Sequence, residues 1–257
     1  MASDKFTLKE ICSEFDIKTD IEAYGNGHIN DTYLCDTAPR FILQRLNTNV
    51  FKDPVSVMEN IVNVTEHLSK KITAAGGDPM RETLTVIPTK SGCSYFKADE
   101  NNYFRMYKFI EDSMSYDLVE NPIQLYHAGT AFGKFQSMLS DFSADRLHET
   151  IVDFHNTPKR VEQLNDAISN NAANRADSVR AEIDFAKEYA KYASAVIDKM
   201  NDGSVPLRVT HNDTKLNNVL FDKETGEGLC VIDLDTVMPG SVLFDFGDAL
   251  RFGASSG

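Results

Sequence analysis

The first 110 residues alternate short segments rich in β-branched and aromatic residues with turn residues, a pattern typical of β-strands. We predict strands at Asp20–Tyr24, Asp31–Thr37, Arg40–Leu46, Leu84–Pro88, Ser94–Lys97 and Tyr103–Ile110. One stretch between them has helical spacing instead, with Asp53 as its N-cap and Pro54 at the first position. Gly76-Gly77 ends this helix, and its apolar stripe consists of Val57, Ile61, Val64, Leu68 and Ile72.

After Glu111 the apolar pattern becomes mainly helical. A helix that opens at Asn121-Pro122 has the stripe Leu125, Ala128, Phe132, Phe135 and Leu139. A second long helix is predicted from Val179 to Met200, ending at Gly203, and short strands return around residues 208–222 and 229–234. We expect an α+β protein with a protein-kinase-like two-lobed fold. Residues 1–110 would form a small strand-rich lobe with the hinge, and residues 111–257 a larger helical lobe.

The composition is that of a folded protein, with 42% hydrophobic residues and a net charge of −13. Nucleic-acid backbones attract basic surfaces, so this charge disfavours a nucleic-acid partner. The N-terminus lacks a secretory signal and no apolar run approaches membrane-spanning length, so we expect no membrane association. The four cysteines are widely spaced without a CxxC pair, and we interpret them as reduced core residues of a cytoplasmic protein.

The stretch RVTHNDTKLNNVLFD, residues 208–222, places charged and amide side chains in a short loop between apolar segments. Asp213 and Asn218 stand five residues apart, the spacing of base and metal-binding Asn in kinase catalytic loops. A carboxylate can accept a hydroxyl proton, an amide oxygen suits Mg²⁺, and the Lys215 ammonium could steady a transferring phosphoryl group. Asp233 follows on the next strand, where it could hold a second ligand position for Mg²⁺. Turn formation between strands would explain one or two of these residues, but not all of them together.

These residues resemble the aminoglycoside phosphotransferase and choline kinase superfamily, whose pattern is His-x-Asp, Asn five residues on, and Asp on the next strand. Within that superfamily YGNGHINDTYL, RFILQRLN and MPGSVLFDFGDALRFGAS look like the N-acetylhexosamine 1-kinases. The resemblance covers essentially the whole chain. It implies transfer of a phosphoryl group from ATP, with Mg²⁺, to the anomeric hydroxyl of N-acetylglucosamine or N-acetylgalactosamine. Asp213 would be the catalytic base and contact the acceptor, and Asn218 and Asp233 would bind the metal.

Other functions stay open at this point. The same fold could act on an aminoglycoside, choline or homoserine, or the chain could be an inactive nucleotide-binding fragment. A protein kinase is disfavoured because IDLDT replaces Asp-Phe-Gly and Ala-Pro-Glu does not occur. The resembling kinases continue with further helices. We therefore expect residues 1–257 alone to bind Mg·ATP weakly at most, to expose apolar helix faces and to show little sugar kinase activity, whereas a longer chain would be active.

Nucleotide contacts are predicted from three segments. Gly25-Asn26-Gly27 lies where a phosphate-covering loop belongs, although a plain Asn-Gly hairpin turn explains it equally well when taken alone. On the third strand, where kinases usually carry Lys, Gln44 and Arg45 point to opposite faces, and Gln44 could bond a phosphate oxygen. Glu59 is expected to face solvent. The segment FRMYKFIED would offer backbone groups to adenine, from residues Tyr107, Phe109 and Ile110.

Acceptor contacts are predicted from scattered side chains. His28 and Asn30 would face the cleft near sugar and phosphates, His28 towards the acceptor and Asn30 towards the nucleotide. Arg251 and Phe252 could contact a sugar, although Phe252 fits a core position as well. Asp245 is expected to cap the next helix or to bond the backbone of the loop at residues 208–222.

Overall fold

The computed structural model describes residues 6–25 and 29–254. The strands in these ranges are β1 (Ile21–Ala23), β2 (Asp31–Cys35), β3 (Phe41–Leu46), β4 (Val86–Ile87), β5 (Phe96–Asp99), β6 (Asn102–Lys108), β7 (Ser113–Met114), β8 (Arg208–Thr210), β9 (Val219–Asp222), β10 (Gly228–Val231) and β11 (Met238–Gly240). The helices are α1 (Leu8–Glu14), α2 (Pro54–Ala74), α3 (Pro79–Glu82), α4 (Pro122–Met138), α5 (Thr157–Asn170), α6 (Arg180–Tyr189), α7 (Ala195–Asn201) and α8 (Val242–Gly253).

An antiparallel sheet forms the N-terminal lobe, with strand order β1-β2-β3-β6-β4 and β5 paired to β6. Alternate residues of each strand face opposite sides of this sheet. Phe104 and Met106 of β6 pack in the cluster that includes α1, whereas Tyr103 and Tyr107 pack in the cluster that includes α2. Arg105 lies between Tyr103 and Tyr107 and shares their side of the sheet, so it faces α2. Its pairing partner on β3 is Gln44.

Helix α2 begins where its sequence predicts. The carboxylate of Asp53 accepts the backbone N–H groups of Val55 and Ser56 at 3.1 and 3.2 Å, and Pro54 occupies the first turn. Its predicted stripe is buried in the main core, in contact with both lobes. Each fully buried aliphatic side chain contributes about 1.5–3 kcal/mol, so this helix joins the N-terminal sheet firmly to the rest of the protein.

The C-terminal lobe surrounds two small antiparallel sheets, one with the order β10-β9-β7 and one that pairs β11 with β8. Helix α4 packs against β10, and its predicted stripe contributes Ala128, Phe132 and Phe135 to the main core. The chain therefore enters the loop of residues 211–218 from a strand of one sheet and leaves it into a strand of the other. Both ends of the loop are fixed by strand pairing.

The predicted long helix from Val179 to Met200 is wrong. The structure has a 3₁₀ turn at Ala176–Val179, helix α6, a 3₁₀ turn at Ala190–Tyr192 and helix α7. The predicted apolar face consists of seven positions, three of them alanine, and only Ile183 is buried; the positions are Val179, Ile183, Ala186, Ala190, Ala193, Ile197 and Met200. So small an apolar face provides little packing to hold one continuous helix. Helices α1 and α5, which we did not predict, are short and carry their own N-caps, Thr7 and Asn156.

The cysteines are free, as expected, and three of them are core residues. Cys12 and Cys35 are buried with their sulfur atoms 3.3 Å apart, and Cys230 is buried elsewhere. Cys93 is exposed, which corrects its prediction as a core residue, because it lies in the turn after Gly92.

The helices and strands also bear on membrane association and on the boundary between the lobes. Across residues 6–25 and 29–254, no helix combines the length and the apolar character that crossing a bilayer requires. Strand β7, just after the hinge, already pairs with β9 of the C-terminal lobe. The division between residues 110 and 111 stays a prediction.

Candidate functional site

The polar loop of residues 211–218 connects β8 to β9 and is shaped by backbone conformations that suit its residues. Asn212 has a φ of 66°, in the left-handed region that Asn tolerates better than most residues. Residues Leu216–Asn218 form a 3₁₀ turn that leads directly into β9. The loop is folded tightly enough to bring residues 213, 215 and 218 together.

Asp213 is half-buried and is contacted by two predicted partners. The Lys215 ammonium lies 2.9 Å from Asp213 Oδ2. Asn218 Nδ2 donates to the same carboxylate oxygen at 3.1 Å and to the backbone carbonyl of Asp213 at 2.8 Å. The structure thus brings together three side chains to which the sequence analysis assigned chemistry, and their functions stay predictions. The arrangement holds one carboxylate in a defined orientation beside an ammonium, which suits proton acceptance next to a transferring anion.

Asp245 of α8 fixes the start of the loop. Its carboxylate accepts the backbone N–H groups of His211 at 2.9 Å and of Asn212 at 2.7 Å, and it also contacts the Gln136 amide. Ser241, rather than Asp245, is the N-cap of α8. Of the two predicted structural functions of Asp245, the bond to the loop backbone is therefore confirmed, and the helix cap is wrong.

His211 links the loop to the strand that carries the predicted metal ligand. Its ring is fully buried against the edges of Phe132 and Phe135. The backbone N–H of Asp213 points at Nδ1 over 3.3 Å, and Nε2 lies 2.9 Å from the carbonyl oxygen of Ile232. These two contacts assign the proton to Nε2, which donates to Ile232. His211 is thus a structural brace between Asp213 and the residue that precedes Asp233.

Asp233 lies close to this group. The N–H of Ile232 donates to the carbonyl of Asn218 at 2.9 Å, which places Asp233 one residue from a direct contact with Asn218. Asp233 has a φ of 58°, an uncommon backbone conformation that is concentrated at functional sites. Burial and the neighbouring charge of Asp235 raise the pKa of Asp233 to about 6. A carboxylate in this setting gains from a cation.

Sequence reasoning missed Arg105, which is 1% exposed and contacts the carboxylate of Asp235. Its Nε and Nη2 also donate to Gln44 Oε1 at 3.0 and 2.9 Å. Burial lowers the pKa of Arg105, but the charge and hydrogen bond of Asp235 together with the charges of Tyr107 and Asp233 outweigh this effect, and the pKa lies above its ordinary value. In the sequence Arg105 stands in an apolar strand and its partner follows 130 residues later. No local pattern connects the two.

The predicted nucleotide contacts of the N-terminal lobe can be followed in part. Gly25 has a φ of 73°, which favours glycine, and among the described residues no atom lies within 4 Å of a Cβ placed there. Asn26, Gly27 and His28 lie outside the described residues. Asn30 is half-buried, its Nδ2 donates to Asp235 at 2.6 Å and its Oδ1 accepts the N–H of Asn47 at 2.9 Å, so its contact with nucleotide stays a prediction.

Gln44 and Arg45 face opposite sides of the sheet, as the alternation requires. Gln44 is on the side of Arg105 and donates to Thr32 Oγ1 at 3.0 Å, whereas Arg45 lies 3.5 Å from Asp31. Gln44 is therefore the one that lies beside the buried Arg105–Asp235 pair, and its phosphate contact stays a prediction.

Two further predictions for this lobe can be compared with the contacts. Glu59 contacts the exposed ring of His148, as expected for a solvent-facing residue. In the hinge, the N–H of Phe109 donates to the carbonyl of Arg40 at 3.0 Å. Tyr107 and Ile110 are buried. An adenine would therefore have to be recognised by hinge groups other than the Phe109 N–H.

The predicted acceptor residues on α8 differ in their surroundings. Arg251 is exposed and contacts Asp248 at 2.7 Å, and Asp248 accepts the backbone N–H of Thr214 in the loop. Phe252 packs against the main core, which favours the core interpretation over stacking on a sugar. His155, to which we assigned no function, contacts the carbonyl of Asn212 at 2.9 Å and so braces the loop from a third direction.

A divalent cation is compatible with the residues present. Because Asn218 Nδ2 contacts Asp213, its amide oxygen is the atom that could ligate a metal beside the Asp233 carboxylate. In the described ranges, no three His, Cys, Asp or Glu side chains are clustered so as to hold a metal by themselves. Mg²⁺ usually binds through one or two carboxylates together with substrate phosphates. A cavity of about 470 Å³ opens elsewhere, between α2 and β4, and is lined by none of the predicted site residues.

Known proteins of similar sequence and structure indicate the family and the fold of the chain. A family model described as "Phosphotransferase enzyme family" matches residues 20–257. An aminoglycoside phosphotransferase from Alicyclobacillus acidocaldarius superposes with a TM-score of 0.60 at 13% identity, covering 97% of this chain and 72% of that one. A microcompartment-associated aminopropanol kinase gives 0.54 at 15% identity, with coverage of 95% and 73%. A spectinomycin phosphotransferase in complex with ADP and spectinomycin gives 0.54 at 14%, with coverage of 93% and 70%. At these identities the structures establish the kinase-like fold.

Proposed function

The chain belongs to the phosphotransferase enzyme family, and we propose that it transfers the γ-phosphoryl group of ATP to a sugar hydroxyl, namely the anomeric hydroxyl of an N-acetylhexosamine. One observation carries the proposal. The Asp213 carboxylate is held by Lys215 and Asn218, and the carbonyl of Asn218 accepts the N–H of Ile232, the residue before Asp233. A base, an ammonium and two hard oxygen ligands within one loop and the next strand meet the needs of phosphoryl transfer.

Asp213 would act on the acceptor. Its carboxylate would orient the hydroxyl and accept its proton as the oxygen attacks the γ-phosphorus, while the bond from that phosphorus to the bridging oxygen of ADP breaks. Lys215, 2.9 Å from the carboxylate, would stabilise negative charge on the phosphoryl oxygens. Asp245 would hold the loop through the N–H groups of His211 and Asn212.

Asn218 and Asp233 would hold Mg²⁺ on the nucleotide phosphates. When bound, the metal supplies charge neutralisation for those phosphates. The raised pKa of Asp233 supports this assignment, since a cation would relieve the repulsion between the carboxylates of Asp233 and Asp235. Gly25 and the residues that follow it would cover the phosphates, with the hinge at residues 107–110 contacting the adenine.

The identity of the acceptor is supported by fewer observations than the type of reaction. The motifs at residues 24–34, 40–47 and 238–255 resemble the N-acetylhexosamine 1-kinases, which favours an amino sugar. The second candidate is another alcohol, such as an aminoglycoside, because structures of similar fold are described as aminoglycoside and spectinomycin phosphotransferases. Both candidates use the same base and the same metal ligands.

A panel of acceptors with γ-labelled ATP separates the candidates. The full-length protein would be offered N-acetylglucosamine, N-acetylgalactosamine, kanamycin, choline and homoserine. The methyl glycoside of N-acetylglucosamine is the matched control, because its anomeric oxygen is blocked. We expect label on the free amino sugars, none on the glycoside, and release of the label by mild acid, to which anomeric phosphates are sensitive. Labelled glycoside or an acid-stable product would reject the anomeric hydroxyl, and preference for kanamycin would favour the second candidate.

A further inference from the structure

The carboxylate of Asp235 belongs to the C-terminal lobe but is bound by two residues of the N-terminal lobe. It lies in the 3₁₀ turn Leu234–Thr236, two residues after Asp233, and is 2% exposed. Arg105 of β6 contacts Oδ1, and Asn30 donates to Oδ2 at 2.6 Å. Each oxygen of one carboxylate is therefore contacted by a different segment of the opposite lobe.

The contact with Arg105 is held firmly in place. Side-chain exposure is 1% for Arg105 and 3% for Asp235, so neither charge is compensated by bulk water. Two further donor atoms of Arg105, Nε and Nη2, are engaged by Gln44, the residue opposite it on β3. A buried charge is stable only when it is paired and hydrogen-bonded. The position of Asp235 is thus fixed from the sheet, by a residue that cannot turn away without leaving a charge unpaired.

The contact with Asn30 comes from a different direction. Asn30 lies three residues after Gly27, the last residue of the predicted phosphate-covering loop. It is anchored by its Oδ1, which accepts the N–H of Asn47, and Asn47 in turn donates to the carbonyl of Ile29 at 3.1 Å. The amide group of Asn30 is therefore oriented with its nitrogen towards Asp235.

We propose that Asp235 is a positioning residue for the turn that carries Asp233. Through Asn30 it couples this turn to the segment after the predicted phosphate-covering loop, and through Arg105 it couples the turn to strand β6. This inference rests on the proposed function and deepens it. Strand β3 has the sequence FILQRL and offers no Lys to the nucleotide phosphates, and the Arg105–Asp235 pair is a buried charge pair that joins the two lobes. Displacing Asn30 would then weaken Mg·ATP binding although Asn30 is not a metal ligand.

Substitution of Asn30 tests this link with little risk to folding, because the residue is only half-buried. Asn30→Ala removes the donor, and Asn30→Asp places a second carboxylate against Asp235. Asn49→Asp adds the same charge at an exposed position nearby and is the matched control. Titration calorimetry of the full-length protein with Mg·ATP should show affinity reduced about 10-fold for Asn30→Ala and more for Asn30→Asp, within the range found for outer partners of metal ligands. The control should bind as the wild type does.

A double variant shows whether Asn30 acts through Asp235. We expect Asn30→Ala combined with Asp235→Asn to bind no worse than Asp235→Asn alone, because residues in one network are not additive. Thermal melting of each variant checks that the fold is retained. Losses that multiply would show that Asn30 acts independently and would overturn the inference, as would wild-type affinity in both Asn30 variants. If the wild type itself binds no Mg·ATP, the proposed function fails and the inference falls with it.

Discussion

Asn218 donates two hydrogen bonds to Asp213, one to its carbonyl at 2.8 Å and one to its carboxylate at 3.1 Å. Through these contacts the amide nitrogen orients the base, and the amide oxygen is left as the possible metal ligand. One side chain would thus fix the distance between the acceptor hydroxyl and the metal-bound phosphates. Such fixed geometry is what positioning contributes to phosphoryl transfer.

The metal assignment predicts unequal effects at two positions. Asp233→Ala removes a charged ligand and should weaken Mg·ATP binding strongly and abolish transfer, whereas Asn218→Ala should weaken it less. Asp184→Ala, at an exposed position of α6, is the control. Titration calorimetry at fixed Mg²⁺ measures the affinities. Unchanged affinity in the Asp233 variant would show that the metal is held elsewhere.

The packing of Phe252 predicts a loss of stability without a loss of acceptor binding. Because Phe252 is half-buried against the core, Phe252→Ala should lower the free energy of unfolding by about 1–3 kcal/mol, less than full burial would cost. Phe246→Ala on the same helix is the control, since Phe246 is 64% exposed. Urea unfolding and the KM for N-acetylglucosamine measure the two quantities. A raised KM with unchanged stability would instead place Phe252 in the acceptor site.

Asp245 should matter for turnover although it lies behind the loop. Asp245→Asn keeps the size of the side chain but leaves one of the two N–H groups of His211 and Asn212 facing a donor. We expect kcat to fall at least about 10-fold and the free energy of unfolding to fall by roughly 1.5–3 kcal/mol, the value of a hydrogen bond to a charged group. Steady-state kinetics below the melting temperature of the variant measure kcat. An unchanged kcat would contradict the positioning function of Asp245.

Asp233 should make the metal-free protein less stable as pH rises. Its folded pKa of about 6 lies above the ordinary value of 3.8. Between these values the folded chain retains a proton that the unfolded chain has released, so the free energy of unfolding falls as pH increases from about 4 to 6. Asp233→Asn removes this titration. At pH 7 with EDTA the variant should be more stable by on the order of 3 kcal/mol, and the advantage should vanish below pH 4. If the difference in urea midpoint between the wild type and Asp233→Asn stayed constant across this pH range, the assignment would be contradicted.

The sequence predicted those parts of the fold that depend on local signals. Each of these features is encoded by residues close together in the sequence: the cap at Asp53, the strand break near Gly25, and the loop with Asp213 and Asn218. The prediction of a helix from Val179 to Met200 was wrong because three of its seven apolar positions are alanines, which keep helical spacing but provide little surface to bury. Its interruption depends on what packs beside it, which spacing does not reveal.

The parts of the candidate site that escaped prediction depend on contacts between distant segments. In the sequence, Arg105 is one polar residue in a core strand, and Asp235 lies two residues after the predicted metal ligand Asp233 without a motif of its own. Their pairing arises when β6 of one lobe meets the turn after β10 of the other. His155 likewise gains its contact with Asn212 only in the folded chain. These residues carry charge or hydrogen-bonding groups without a motif around them.

The central claim is that Asp213 is the base for phosphoryl transfer to a sugar, and one comparison tests it most directly. ADP formation that depends on N-acetylglucosamine would be measured for the full-length wild type and for Asp213→Asn, together with the Kd for Mg·ATP. The variant keeps the size of the side chain but cannot accept the proton, so turnover should fall at least ~10²-fold, with the Kd nearly unchanged. Near wild-type turnover in the purified variant would contradict the account.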